Sequence, residues 1–212
     1  MKRWLILLIL PLLSTAQSVQ DTITDTEVSL RALRSFHAEF EQNFYSGTVS
    51  VPLKETGEIW FEKPDTMKWE YKDPEKKVFL SKEGTFQYYL PEDNQLIRGQ
   101  IPREGHEGEV LHILSGTKSI SDSYKVEFSP FPTTQTNTLQ LKLTPIGDEE
   151  DLYYSHILLE LDENLGMITR ILLHDWAGNR TEVLFQKIRK NQKFKSNTFE
   201  IKIPPGVEII EY

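Results

Sequence analysis

Large apolar residues and charges alternate along residues 57–71 of this chain, in two short strands joined around Pro64. Ile59 and Phe61 fall on one side of the first strand, against Glu58, Trp60 and Glu62. Met67, Trp69 and Tyr71 share a side of the second, against Lys68 and Glu70. A period of two predicts a sheet with one apolar and one solvated face. An apolar face this aromatic must be covered, either by the protein's own core or by something that it carries.

The same patterning extends in both directions. Upstream, Phe36, Ala38, Phe40, Gln42 and Phe44 alternate with Ser35, His37, Glu39, Glu41 and Asn43, which predicts a further strand. Leu30, Leu33 and Phe36 recur at helical spacing just before it, and Thr24 with Glu27 forms a capping-box pattern. The expectation is an amphipathic helix of about ten residues behind a loose leader over 17–23. Downstream, strands are predicted near 57–62, 67–72, 77–81, 85–90 and 95–99. Lys63-Pro64-Asp65, Asp73-Pro74, Glu83-Gly84 and the stretch from Pro91 to Asn94 supply the turns. The run is interrupted at 102–123, where Pro102, Gly105 and Gly108 predict a loop. Glu109 to Leu114 then read as one or two helical turns stopped by Gly116, with Val110, Leu111 and Leu114 on one side. A helix of this kind in a long insertion is a core plug or a movable lid. Strands resume near 124–129, 138–144, 153–162, 167–175 and 180–189, and Phe199 to Ile203 reads as a final edge segment ended by Pro204-Pro205-Gly206. Such spacing predicts an antiparallel meander, a sandwich or a barrel.

The N-terminus bears on compartment. Met1-Lys2-Arg3 is basic, Trp4 to Leu13 is apolar, and Ser14-Thr15-Ala16 offers small residues for a cut, which is a secretory signal-peptide pattern with cleavage after Ala16. The apolar run is about half the roughly twenty residues that a spanning helix needs. Residues 17–212 then form one domain of 196 residues, and the formal charge moves from −8 to −10. That acidity argues against nucleic acid as a partner, which calls for a basic stripe. The chain has no cysteine, which excludes a disulfide framework, thiol chemistry and a lipid anchor on cysteine.

Signatures of catalysis are not found: no nucleophile elbow, phosphate loop or zinc-binding helix motif. His37, His106, His112, His156 and His174 are isolated along the sequence, and His174 and Asp175, though adjacent, point to opposite faces of a strand. The acidic stretch 147–151 reads as a solvated turn. No metal or cofactor is expected, and the chain reads as a non-enzyme. What remains is the surplus of aromatic residues on strands, among them Phe61, Trp69, Tyr71, Phe79, Phe86, Tyr88, Phe128 and Phe185. Large aromatic walls suit a sheet that holds a ligand better than one that fills itself.

Several stretches together resemble the periplasmic outer-membrane lipoprotein carrier proteins, the LolA family. They are Phe40-Glu41-Gln42 after a helix, Gly57 through Pro64, Trp69-Glu70-Tyr71 before Pro74, Asp175 with Gly178-Asn179-Arg180-Thr181, and Phe199 followed by Pro204-Pro205-Gly206-Val207. They run in family order across nearly the whole mature chain. The resemblance implies a mainly β fold with an α lid: an incompletely closed antiparallel β-barrel (half-barrel) covered by short helices. It implies a carrier in the periplasm that takes acylated lipoproteins from an inner-membrane ATP-driven releasing complex; nothing in the sequence suggests an obligate oligomer, and a monomer is expected. The carrier shields their acyl chains and delivers them to an outer-membrane receptor where one exists. A triacylated cargo has about forty methylenes, whose exposure would cost on the order of 30 kcal/mol. On strand parity, Ile59, Phe61, Met67, Trp69, Tyr71, Phe86, Tyr88, Phe128, Leu141 and Phe185 are expected to line the acyl-binding cavity. Leu30, Leu33, Val110, Leu111 and Leu114 are expected in the lid, with Leu111 and Leu114 filling the empty cavity. The family commonly has Arg before the Pro of the first turn, tying strand to lid; here Lys63 stands there, with a flexible stem in place of a planar fork. The alternative functional reading is a half-barrel that binds free lipid or senses lipoproteins without transporting them. A secreted hydrolase with a scattered site and a solid structural scaffold are the readings from other classes.

Overall fold

A computed structural model of the chain describes residues 18–48, 51–100, 106–116, 119–132, 136–147 and 152–212. Residues 1–17, which include the expected signal peptide, lie outside the described residues, as do Pro102, Gly105 and the acidic residues 148–151.

The chain runs α1 (Val19–Ala32), β1 (Ser35–Tyr45), β2 (Leu53–Glu62), β3 (Thr66–Asp73), β4 (Lys77–Lys82), β5 (Thr85–Leu90), β6 (Gln95–Gln100), α2 (His106–Ser115), α3 (Ile120–Ser123), β7 (Tyr124–Phe128), β8 (Thr138–Pro145), β9 (Tyr154–Asp162), β10 (Met167–Asp175), β11 (Arg180–Lys190) and β12 (Glu208–Glu211). All twelve strands join one sheet in the order β12-β6-β5-β4-β3-β2-β1-β11-β10-β9-β8-β7. Neighbours are antiparallel except β12, which lies parallel to β6 with Ile209 opposite Leu96. The two end strands, β12 and β7, do not pair with each other, so the sheet stays open. It curls enough that apolar side chains from both halves, such as Trp69 and Leu159, belong to one buried cluster. This is the incompletely closed, mainly β barrel with short covering helices that the resemblance implies.

Register fixes which side chains face inward. Phe36 pairs with Phe61, Phe40 with Gly57, and Ile59 with Trp69, so the apolar parity of β1, β2 and β3 falls on one face. Gly57 has a steric reason to be glycine. A Cβ there would sit 2.8 Å from the Phe40 ring and 2.1 Å from the Glu70 carbonyl oxygen. The missing side chain gives the Phe40 ring its place on the inner face.

Three local expectations are corrected. The first helix starts at Val19, not near Thr24, and Thr22 and Ile23 are already buried in it. Ser18 is its N-cap, and Ser18 and Asp21 form the capping box, while Thr24 Oγ1 bonds back to the Gln20 carbonyl. Two overlapping box patterns exist in this stretch, and the upstream one captures the helix. The final edge strand is Glu208–Glu211, beyond Pro204-Pro205-Gly206, where the chain pairs in parallel with β6, and residues 199–203 form no strand. Gly108 lies inside α2, not in a loop, and a short α3 follows in the insertion.

Candidate functional site

The concave face is the candidate site. Phe36, Phe61, Phe40, Trp69 and Phe185 form its centre. Trp69 is fully buried; its ring lies 4.7 Å from Phe40 in an edge-on contact and 6.2 Å from Phe185. Phe36 joins Phe61 at 5.6 Å and Phe185 at 6.1 Å. Toward β5, Phe79 stacks on Phe86 at 6.0 Å and meets Tyr88 edge-on at 6.2 Å. The other half of the wall is aliphatic, with Leu141, Leu143, Ile157, Leu159, Ile171 and Val183 all buried.

Of the ten residues expected to line a cavity, Ile59, Phe61, Met67, Trp69, Tyr71, Phe86, Leu141 and Phe185 meet in the buried cluster. Tyr88 packs against it half-buried. Phe128 has the inward parity, opposite Leu141, but is 40% exposed and outside the cluster. It sits on β7, the last strand of the sheet, with no further strand to shelter it.

The wall is covered by helices. Leu30 and Leu33 from α1 and its C-cap, and Val110, Leu111 and Leu114 from α2, all belong to the same cluster as the wall aromatics. Ile113, which the pattern does not single out, joins them; a helix this apolar buries more than one face. The helices meet the sheet through side chains, and no strand pairs with them. Helix α1 touches α2, α3, β7 and β10. A cavity of about 240 Å³ lies beside α1, bordered by Leu30, Leu139, Leu161, Met167 and Ile168. It is smaller than the roughly 300–1,000 Å³ of an ordinary ligand pocket. Elsewhere Leu30, Leu33, Val110, Leu111 and Leu114 pack into the cluster of the wall.

Polar ties hold this cover at defined points. Lys63 Nζ donates to the Leu30 carbonyl at 2.7 Å and to the Arg31 carbonyl at 3.1 Å, at the C-terminal end of α1. A cation there meets the unpaired carbonyls of the helix end. Burial and the charge of Arg31 hold the Lys63 ammonium below the usual lysine range. Glu27 of α1 accepts from the Ile120 amide at 2.7 Å and Ser119 Oγ at 2.7 Å, fastening α3 to α1. Burial alone would raise the Glu27 carboxyl, but the bonds from Ser119, Ser121, Arg31 and Ile120 outweigh it and lower its pKa. At the start of α2, Glu109 accepts from Tyr124 Oη, and Glu107 lies 3.3 Å from Tyr71 Oη. Burial pushes the Tyr71 phenol far above its ordinary value, with Glu107 adding to the shift, so it stays a donor.

Two histidines that are remote in sequence come together on the convex face. His156 and His174 pair across β9 and β10 with their rings stacked at 4.2 Å. Ser155 Oγ is 3.1 Å from His156 Nδ1, but it is also within bonding distance of the His174 carbonyl, and the Asp175 carboxylate binds Asn179. Among the described residues no group of three His, Cys, Asp or Glu could hold a metal ion.

The fold is a helix-covered, half-closed barrel with an aromatic inner wall. The family model for the outer membrane lipoprotein carrier protein LolA matches residues 31–202, and the chain belongs to that family. An outer-membrane lipoprotein carrier protein of Chromohalobacter salexigens is 25% identical over 205 residues, which covers 96% of this chain and 92% of the relative. One from Azotobacter vinelandii is 24% identical over 201 residues, covering 94% and 92%. An uncharacterized conserved protein from Thermus thermophilus shares the fold, with a TM-score of 0.59 and 11% identity over 92% of this chain and all of that one.

Proposed function

We propose that this protein is a periplasmic lipoprotein carrier, which shields acyl chains on its concave wall and moves its cargo from the inner to the outer membrane. Family membership supports the class, and one observation carries the mechanism. The most apolar surface of the sheet is closed by helices that touch it through side chains, with Lys63 as a polar latch at the end of α1. A cover built into the sheet's ladder would need strand separation to open. This cover needs only to slide its leucines off the wall.

The energetics fit a shuttle. Leu111 and Leu114 supply apolar contacts to the wall when no cargo is present, so acyl chains gain only the difference between their burial and that of the lid. A carrier that captured the full burial energy of about 0.8 kcal/mol per methylene could not let its cargo go. The wall and lid residues have binding roles, not catalytic ones, and the donor is an inner-membrane ATP-driven releasing complex. The test is extraction. Inner-membrane vesicles carrying a labelled triacylated lipoprotein and that complex should release label with ATP only when the mature protein is present. Label that stays with the vesicles would remove the transport reading and leave the free-lipid binder.

A further inference from the structure

The inner wall is not apolar to its rim. At the end of the barrel where the β1–β2, β3–β4 and β5–β6 turns lie, five neighbouring strands each place a polar side chain on the inner face. They are Gln42, Glu55, Tyr71, Lys77 and Tyr88, one per strand from β1 to β5. Gln42 and Glu55 are 4% and 6% exposed, as buried as many core leucines. The five form one connected network. Gln42 Nε2 donates to Glu55 Oε2 at 3.0 Å, and Lys77 Nζ donates to Glu55 Oε1. Lys77 also lies 4.5 Å from the centroid of the Tyr71 ring and interacts electrostatically with Tyr88, while Tyr71 Oη is 3.3 Å from Gln42 Oε1. One row deeper the same strands carry no polar side chain, with Phe40, Gly57, Trp69, Phe79 and Phe86.

A buried charge pair and its neighbours are costly to maintain where leucines would pack as well. Their place, as a polar band at one end of an apolar wall, matches the polarity of an acylated molecule: chains at one end, ester and amide groups at the other. We propose that this band binds the ester and amide linkage of an acylated ligand, so that the chains run inward along the aromatic wall and the polar part leaves past the band. The proposal rests on the carrier reading and assigns the ligand's direction within it. Ester and amide carbonyls only accept hydrogen bonds, and the band offers Tyr71 Oη, Tyr88 Oη and Lys77 Nζ as donors. Glu107, at the start of α2, now takes the Tyr71 position at 3.3 Å. A ligand carbonyl there would replace the lid's carboxylate, so loading of the band and release of α2 compete for the same hydroxyl.

The test compares three probes on the purified mature protein: a synthetic tripalmitoylated lipopeptide, dipalmitoyl phosphatidylglycerol, and diphenylhexatriene, an apolar rod without polar groups. The double variant Glu55→Gln with Lys77→Met removes the charge pair as a unit, so neither ion is left alone. It should weaken lipopeptide binding by about tenfold while diphenylhexatriene binding stays within about twofold. Glu107→Gln should tighten lipopeptide binding. Equal losses for lipopeptide and phospholipid would assign the band to the ester carbonyls that both contain; a loss confined to the lipopeptide would assign it to the N-terminal amide. Should the double variant fail to fold, Tyr88→Phe, at a half-buried site, carries the same comparison. Equal weakening of all three probes, or of none, overturns the proposal and leaves the carrier reading standing. A wild-type protein that binds diphenylhexatriene but not the lipopeptide overturns both.

Discussion

Replacing Lys63 by Met keeps the apolar stem in place and removes the ammonium that holds the end of α1. Two hydrogen bonds are lost, to the Leu30 carbonyl at 2.7 Å and the Arg31 carbonyl at 3.1 Å. A bond from a charged donor contributes about 1.5–3 kcal/mol when shielded. Lys63 is only half-buried, and both its partial burial and the nearby Arg31 disfavour its charge. Solvent screening brings the pair down to about 1–2 kcal/mol in total. That shifts the balance between closed and open lid by roughly 5–30-fold. Because apparent affinity scales with the open fraction, binding of a tripalmitoylated lipopeptide should tighten by the same factor while the closed form still dominates. Exchange of the Leu33 amide, which bonds the Ser29 carbonyl at 3.1 Å, should accelerate alongside it. Lys63→Arg should return both readouts toward the starting values, since a planar fork can serve two adjacent carbonyls. The latch reasoning fails if Lys63→Met leaves lipopeptide affinity within twofold and the Leu33 amide unchanged.

Other consequences are equally concrete. Leu114→Ala removes a fully buried lid side chain and should lower stability by about 3 kcal/mol in a urea titration; its lipopeptide binding should nevertheless tighten, and a parallel loss of affinity would show that Leu114 is wall and not plug. Burial holds His156 and His174 below their ordinary value of 6.5, with Lys142 adding to the effect at both; at His174 the charges of His156 and Arg180 add further and Asp175 opposes. The unfolded chain therefore takes up protons first, so their contribution to stability is complete above about pH 6.5 and declines as the pH falls below it. Urea midpoints at about pH 7.5 and 5.5 should differ less in a His156→Gln, His174→Gln variant; an unchanged difference would sink this assignment. Glu27→Gln weakens the acceptor of the α3 amides and should cost about 1 kcal/mol, seen as faster exchange at Ile120 with the strand amides unaffected.

Much of this architecture is legible in the sequence because strand parity leaves little freedom. Once Ile59, Phe61, Met67, Trp69 and Tyr71 are inward, a one-residue slip would turn all five to solvent. Parity does not report a strand's place in the sheet. Phe128 has the right parity and stands at an open edge, whereas Phe185, on a strand that pairs next to β1, reaches the centre. The cap at Ser18 competes with an equally good pattern at Thr24, and only the burial of Thr22 and Ile23 decides between them. Strand β12 escapes notice because its parallel pairing with β6 spans more than a hundred residues. The polar band is present in the alternation at Gln42, Glu55 and Lys77. A charge at an inward position reads as a strand end until its partner, two strands away, is seen beside it. The stacking of His156 and His174 likewise depends on register between β9 and β10, which neither strand carries alone.

The most direct test of the carrier account is native mass spectrometry of the mature protein purified with a co-expressed triacylated lipoprotein. The account predicts a one-to-one complex that disappears when the cargo's acylated cysteine is replaced by serine. Equal binding of the unacylated cargo, or a protein that leaves the acylated form behind and retains only free phospholipid, would contradict it.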